Sequence, residues 1–169
     1  MPRRALVPLL LAVFVTGCAG LGALSQVLQA PRFEVASDHQ PQIQLLGPSA
    51  QRPLGGLSVR LWADVTNPNP IGVVLSSLQG NLALEGVRAA DVSFPLGLPL
   101  AAAQDTIIPL DISVGFSELP RLAGIVQTAF TRGTVAYRLD GTVGVDAGLL
   151  GRPSFGPMTL LQGNIQTRR

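Results

Sequence analysis

The chain has 169 residues, 47% of them apolar and only 13% charged. That is enough for one medium domain plus a targeting segment, and it excludes a disordered chain and a solvated helical rod. All twelve basic residues are arginine; without residues 1–17, which hold Arg3 and Arg4, ten arginines face ten acidic residues. The sequence pI near 9.5 is therefore largely an effect of the first residues. With scattered arginines and no aromatic platform, nothing points to a nucleic-acid partner. Nineteen glycines and fourteen prolines among many valines and leucines favour strands joined by turns.

Residues 1–4 carry positive charge and residues 5–15 are apolar. The apolar run is too short to span a bilayer, which takes ~20 residues. It ends in Val15-Thr16-Gly17-Cys18, the layout of a secretory signal with a cysteine after the small residues. This resembles the bacterial lipoprotein lipobox, with valine where leucine is commoner. The plainer alternative is an ordinary cleaved signal with a chance cysteine. The resemblance implies a signal peptide over 1–17, a lipidated tether over 18–32 beginning at Cys18, and a membrane partner reached through acyl chains. Each buried methylene of such chains contributes about 0.8 kcal/mol, and two or more chains anchor stably. Ala19 stands where aspartate would favour inner-membrane retention, so the resemblance further implies the cell envelope, at the periplasmic face of the outer membrane.

Residues 33–41 are polar and include the single histidine, His39, which reads as a solvated surface residue. Residues 43–46 form a first short strand, and 48–56 a loop rich in Gly and Pro. Over residues 57–67, Leu57, Val59, Leu61, Ala63 and Val65 alternate with Ser58, Arg60, Trp62, Asp64 and Thr66. That period of two marks a half-buried strand. Trp62, on the polar register, either covers the second face of the sheet or stands as an exposed contact. Asn67-Pro68-Asn69-Pro70 ends the strand, because neither proline can donate to a ladder and asparagine satisfies its own turn. The corner reads as structural; the sharper alternative is a ligand site at Asn67 and Asn69.

Residues 71–75 are apolar, and Ser76-Ser77 reads as a turn. Leu78, Gly80, Leu82 and Leu84 line one face of the next strand, which ends at Gly86. Residues 87–94 form a weaker strand, and Pro95 and Pro99 demote the stretch after it to an edge or loop. Residues 106–116 place Ile108, Leu110, Ile112 and Val114 inward, with Pro109 outward on an edge strand or bulge. Ser117 then suits a helix N-cap, Glu118 complements the helix dipole, and apolar residues repeat at three and four as far as Phe130. Arg132 and Gly133 supply a C-terminal stop. Residues 134–145 return to period two, 146–151 turn, and a last strand runs over 158–165.

The strand entering Asn67-Pro68-Asn69-Pro70, the strand end at 82–86, the strand–helix pair over 107–130 and Tyr137-Arg138-Leu139-Asp140-Gly141 together resemble the late-embryogenesis-abundant type 2 family, also called the water-stress and hypersensitive-response domain. The resemblance covers residues 33–165, within a domain of 33–167, and Tyr137 and Gly141 match the family's tyrosine-x-leucine-x-glycine strand. It implies a mainly β fold: a fibronectin-III/immunoglobulin-like β-sandwich of about seven strands with one helix inserted between late strands. It also implies a link to desiccation and other stress tolerance, and it supplies no catalytic residue.

The residues themselves offer no chemistry of their own. There is one histidine, no cysteine besides Cys18, and no paired-carboxylate, metal-ligand or phosphate-loop motif. The expectation is a non-enzymatic domain with no catalytic, cofactor-binding or metal site. Its expected role is stress protection from a membrane anchor. The alternatives are a periplasmic lipid-binding or lipid-transfer module, drawn from the high apolar content, and an envelope protein-interaction module working by edge-strand pairing.

Overall fold

The structure is a computed structural model that describes residues 28–51, 53–116 and 131–166. Eight strands succeed one another among these residues: β1 (Arg32–Val35), β2 (Gln42–Leu46), β3 (Gly56–Thr66), β4 (Val73–Leu84), β5 (Val87–Leu100), β6 (Asp105–Gly115), β7 (Thr134–Asp146) and β8 (Ser154–Gln166). They form two four-stranded antiparallel sheets. One has β3 at its centre, with β6 along one edge and β1 and β2 end to end along the other. The other runs β5-β4-β7-β8. The helix expected over 117–132 falls almost wholly on residues 117–130, outside the described residues.

Alternation explains the core. Val59, Leu61, Ala63 and Val65 of β3 are fully buried, and they meet Leu75, Leu78 and Leu82 of β4, Ile108, Leu110, Ile112 and Val114 of β6, and Val135, Tyr137, Leu139, Val143 and Val145 of β7 in one cluster. Burying each such leucine, isoleucine or valine stabilises the fold by about 1.5–3 kcal/mol before the entropy of ordering is counted. Neither sheet could hide its apolar face alone, so the two close on each other.

Several expectations need correction. Ser76-Ser77 is not a turn. β4 runs straight through it, with a register shift between Leu75 and Ser77 against both β5 and β7. Leu75 and Leu78 are three apart and would face opposite sides of a regular strand; the extra residue at Ser76 turns both inward, where both are fully buried. Residues 95–100 take the edge form that Pro95 and Pro99 predict, not the loop, and continue β5 to Leu100 rather than letting it stop at Phe94. The two prolines sit exposed on this edge strand opposite Ser77 and Val74, where a missing N–H leaves no ladder bond broken. Pro109 plays the same part on β6, opposite Trp62. A strand over Arg32–Val35 replaces part of the polar stretch, and β8 begins at Ser154 rather than 158.

Between β1 and β2 the chain leaves the edge of β3 for residues 36–41. Ala36 donates its N–H to the Trp62 carbonyl (3.1 Å), and His39 folds over the indole with ring centroids 4.3 Å apart. His39 is therefore not a solvated surface residue: it is half-buried, and its Nδ1 is buried without a hydrogen-bond partner. Trp62 is partly buried beneath it.

On the outer face of the same sheet Arg60 and Asp111 stand directly opposite, and the guanidinium grips the carboxylate through Nε (2.6 Å) and Nη2 (2.9 Å). The hydrogen bonds from Arg60 hold the Asp111 carboxyl below its ordinary range. The pair is close to half exposed, so solvent screening keeps its contribution small. Because the folded-state value is depressed, that contribution is complete above the ordinary carboxylate range and fades as pH falls through the folded value. Asp111→Asn should lower the urea midpoint slightly at neutral pH and leave it unchanged in acid, where the wild type has lost the same contribution.

Candidate functional site

The densest buried polar cluster lies at the Asn-Pro corner between β3 and β4. Asn67 and Asn69 are the two buried polar residues among those described, at 0% and 2% exposure. The Asn67 amide nitrogen donates to the carbonyls of Ile71 (2.8 Å), Ala101 (3.1 Å) and Leu100 (3.3 Å). Its oxygen accepts from the Asn69 backbone N–H (3.0 Å) and from the Asn69 side-chain amide (2.9 Å). Its own N–H reaches the Gln104 carbonyl (2.9 Å), and Ala103 donates to the Asn69 carbonyl (3.2 Å). The corner thus ties the β3–β4 crossing between sheets to the β5–β6 crossing beside it.

Asn69 reaches a third segment. Its oxygen accepts from the Gln29 N–H (2.8 Å) and its nitrogen donates to the Gln29 carbonyl (3.0 Å), so the side-chain amide imitates one rung of a β-ladder. Both asparagines have then used their donors and acceptors within the chain. No amide group is left over for a ligand, which disfavours the ligand-site alternative. Pro68 and Pro70 fix the backbone that brings the two amides together.

Tyr137 and Gly141 are 4 residues apart on the inward face of β7 but do different work. Tyr137 is buried over Gly163 of β8, where a Cβ would lie 3.1 Å from the ring. Burial pushes its phenol above the ordinary range. Gly141 faces Gly80 of β4, and the two strands touch backbone to backbone there. Cys18 lies outside the described residues.

Beside Tyr137, the exposed face of β7 carries a network that no sequence motif announces. Asp140 accepts from the Thr159 hydroxyl (2.6 Å) and from Arg138 Nε (2.9 Å), and Arg138 Nη2 also reaches Thr159 (2.7 Å). The Thr159 hydroxyl first, then Arg138, holds the Asp140 carboxyl below its usual range. Arg138, Thr159 and Gln162 line one side of an open groove of about 420 Å3 at the seam of the two sheets, and Phe33, Glu34 and Val35 line the other. The arginine and aspartate two apart on one strand face are the only signal in the sequence; Thr159 joins them through strand pairing. Among the described residues no three metal-ligating side chains converge.

The geometry defines a mainly β module whose two sheets are pinned at one end by a saturated asparagine–proline corner. The family model for late embryogenesis abundant protein (LEA_2) matches residues 63–158, a span that includes the corner and the Tyr137–Gly141 strand. This is more than half of the chain, and the chain belongs to that family. Family membership points to a stress-related function. Among solved structures, one from Arabidopsis thaliana determined in solution is similar at 16% identity and a TM-score of 0.59, covering 82% of this chain and 83% of that one. A solution structure of a late embryogenesis abundant (LEA) protein is similar at 18% identity and 0.49, covering 85% and 74%. A crystal structure of an Archaeoglobus fulgidus protein is similar at 16% and 0.45, covering 78% and 98%. At such identities the likeness to the Arabidopsis protein is one of fold. No curated protein matches the chain.

Proposed function

We propose that the chain is a lipid-anchored envelope lipoprotein whose LEA_2 domain acts without catalysis in tolerance of desiccation or related stress. The family match over residues 63–158 carries the stress-related part. The lipobox-like Val15-Thr16-Gly17-Cys18 after a short apolar run carries the anchor, and Ala19 carries the outer-membrane assignment. The fibronectin-III/immunoglobulin-like identity of the sandwich and a helix between β6 and β7 belong to the same reading. The pairing of charged groups with each other, as in Arg60–Asp111 and Arg138–Asp140, favours a non-catalytic role.

The lipid-transfer alternative calls for an apolar channel between the sheets. The groove at the β1–β8 seam carries Glu34 and Arg138 at its walls, which suits an acyl chain poorly. Edge pairing with another envelope protein is opposed by Pro95 and Pro99 on β5 and Pro109 on β6.

Cys18→Ala is expected to move the protein from the membrane fraction to the soluble fraction; a variant that stays with membranes removes the anchor reading. The protective role has its own test. The anchored protein should preserve the activity of a dried reporter enzyme better than an inert globular protein of equal mass, and equal preservation rejects it.

A further inference from the structure

We infer that the corner end of the sandwich is its membrane-facing end, seated on the phospholipid bilayer through the exposed Leu149 loop. The inference rests on the lipid-anchor reading of Cys18 and adds an orientation to it. Strand pairing gathers four features at this end. Val74 pairs Asp146, so the loop between β7 and β8 stands beside the start of β4 and the Asn-Pro corner. Asn67 brings the β5–β6 crossing to the same place. Asn69 holds Gln29 there through two hydrogen bonds, so the lead from Cys18 joins the domain at this end.

The loop is built to hold an apolar side chain out in the open. A single 3-10 turn spans Gly148–Leu150, and Leu149 at its centre is fully exposed. The turn is rigid. Asp146 accepts the Gly148 N–H (2.9 Å) on one oxygen and Arg152 Nε (2.8 Å) on the other. Ala147 donates to the Gly151 carbonyl (2.9 Å), and Val145 to Pro153 (3.0 Å). Ile71 and Val74, each more than a third exposed, flank it across the end of the sheet. A Leu149-Leu150 pair between two glycines, with an arginine at headgroup depth and the neighbouring carboxylate already satisfied, fits the interfacial layer of a bilayer.

The far end also shows apolar side chains, Leu54 and Val87. The length of the lead decides between the ends. Eleven residue steps separate Cys18 from Gln29, a reach of at most roughly 40 Å. The twelve residues of β4 cover about the same distance. The far end could meet the anchoring bilayer only with the lead drawn out fully along the sandwich, at a large entropic cost. The corner end meets it without that cost.

The test uses the full lipidated chain in vesicles of phosphatidylethanolamine and phosphatidylglycerol. Leu149→Cys and, separately, Leu54→Cys are labelled with an environment-sensitive fluorophore, Cys18 being blocked by its acyl chains. Both positions are exposed, and unchanged melting of the labelled proteins checks the fold. The label at 149 should shift to the blue on reconstitution and be quenched by spin-labelled lipid several-fold more than the label at 54. Equal quenching at the two positions, or stronger quenching at 54, in protein that pellets with vesicles overturns the orientation and leaves the anchor standing. Native protein recovered soluble, with an unmodified Cys18 by mass spectrometry, overturns the anchor and the orientation with it.

Discussion

Asn67→Ala is expected to destabilise the domain by about 3–5 kcal/mol, which for a domain of this size lowers the melting temperature by roughly 10–20 °C. The substitution removes one fully buried amide and strands four backbone partners at once: the carbonyls of Ile71, Leu100 and Ala101 and the N–H of Asn69. Nothing in the closed corner can replace them, and each buried group left alone costs about 1–3 kcal/mol, partly relieved by whatever water enters. Asn67→Asp separates donor loss from shape. It keeps the acceptor for Asn69 but points a second oxygen at three carbonyls. Its penalty should be at least as large at neutral pH. Burial and those carbonyls raise the introduced carboxyl, so the penalty is full above its raised folded value and eases as pH falls through it. Asn69→Ala should cost less, about 1–2 kcal/mol, because its backbone N–H still reaches Asn67 and the main loss is the rung to Gln29. Calorimetric unfolding across pH measures all three. An Asn67→Ala protein within about 1 kcal/mol of the parent would mean that the corner does not lock the two crossings together.

That corner also marks the border between what the chain discloses locally and what only folding reveals. Two prolines and two asparagines after an alternating strand announce a turn, since each residue type constrains its own backbone. The carbonyls that Asn67 binds at Leu100 and Ala101 lie far along the chain and carry no side-chain signal of their own. The same holds for His39, whose partner Trp62 is brought near by the edge that β1 and β2 share on β3. Strands β3, β6 and β7 are legible because alternation is unbroken in them. β4 reads as broken at Ser76 because a bulge interrupts the period just where a turn would. β5 reads as cut short at Pro95 because prolines mark an edge strand and a loop alike, and only the pairing with β4 shows that the strand continues. β1 has four residues and one apolar anchor, Phe33, too little for periodicity to register. Thr159 completes the Arg138–Asp140 network only through the pairing of β7 with β8.

A methyl group at the centre of the β5-β4-β7-β8 sheet should be nearly as damaging as losing the corner amide. Gly80 of β4 and Gly141 of β7 are direct partners. A Cβ on Gly80 would lie 2.1 Å from the Asp140 carbonyl oxygen and 2.7 Å from the Gly141 Cα. One on Gly141 would lie 2.5 Å from the Gln79 carbonyl oxygen. These neighbours are backbone in the two central strands, so neither can swing aside as a flexible side chain would. The strands must part, which stretches ladder bonds on both sides and loosens the packing of Leu78, Leu82 and Leu139 around the pair. Gly80→Ala is therefore expected to cost about 3 kcal/mol or more, at the upper end of overpacking penalties. Gly86→Ala is the matched control. Gly86 has a positive φ of 77° but nothing within 4 Å of its absent Cβ, so only the backbone term is lost, about 1 kcal/mol. Urea unfolding of the two variants discriminates the causes. If alanine at 86 costs as much as alanine at 80, close approach is not what glycine supplies in β4. Gly141 would then owe its place in the Tyr137–Gly141 strand to backbone freedom alone, which its ordinary φ gives no reason to require.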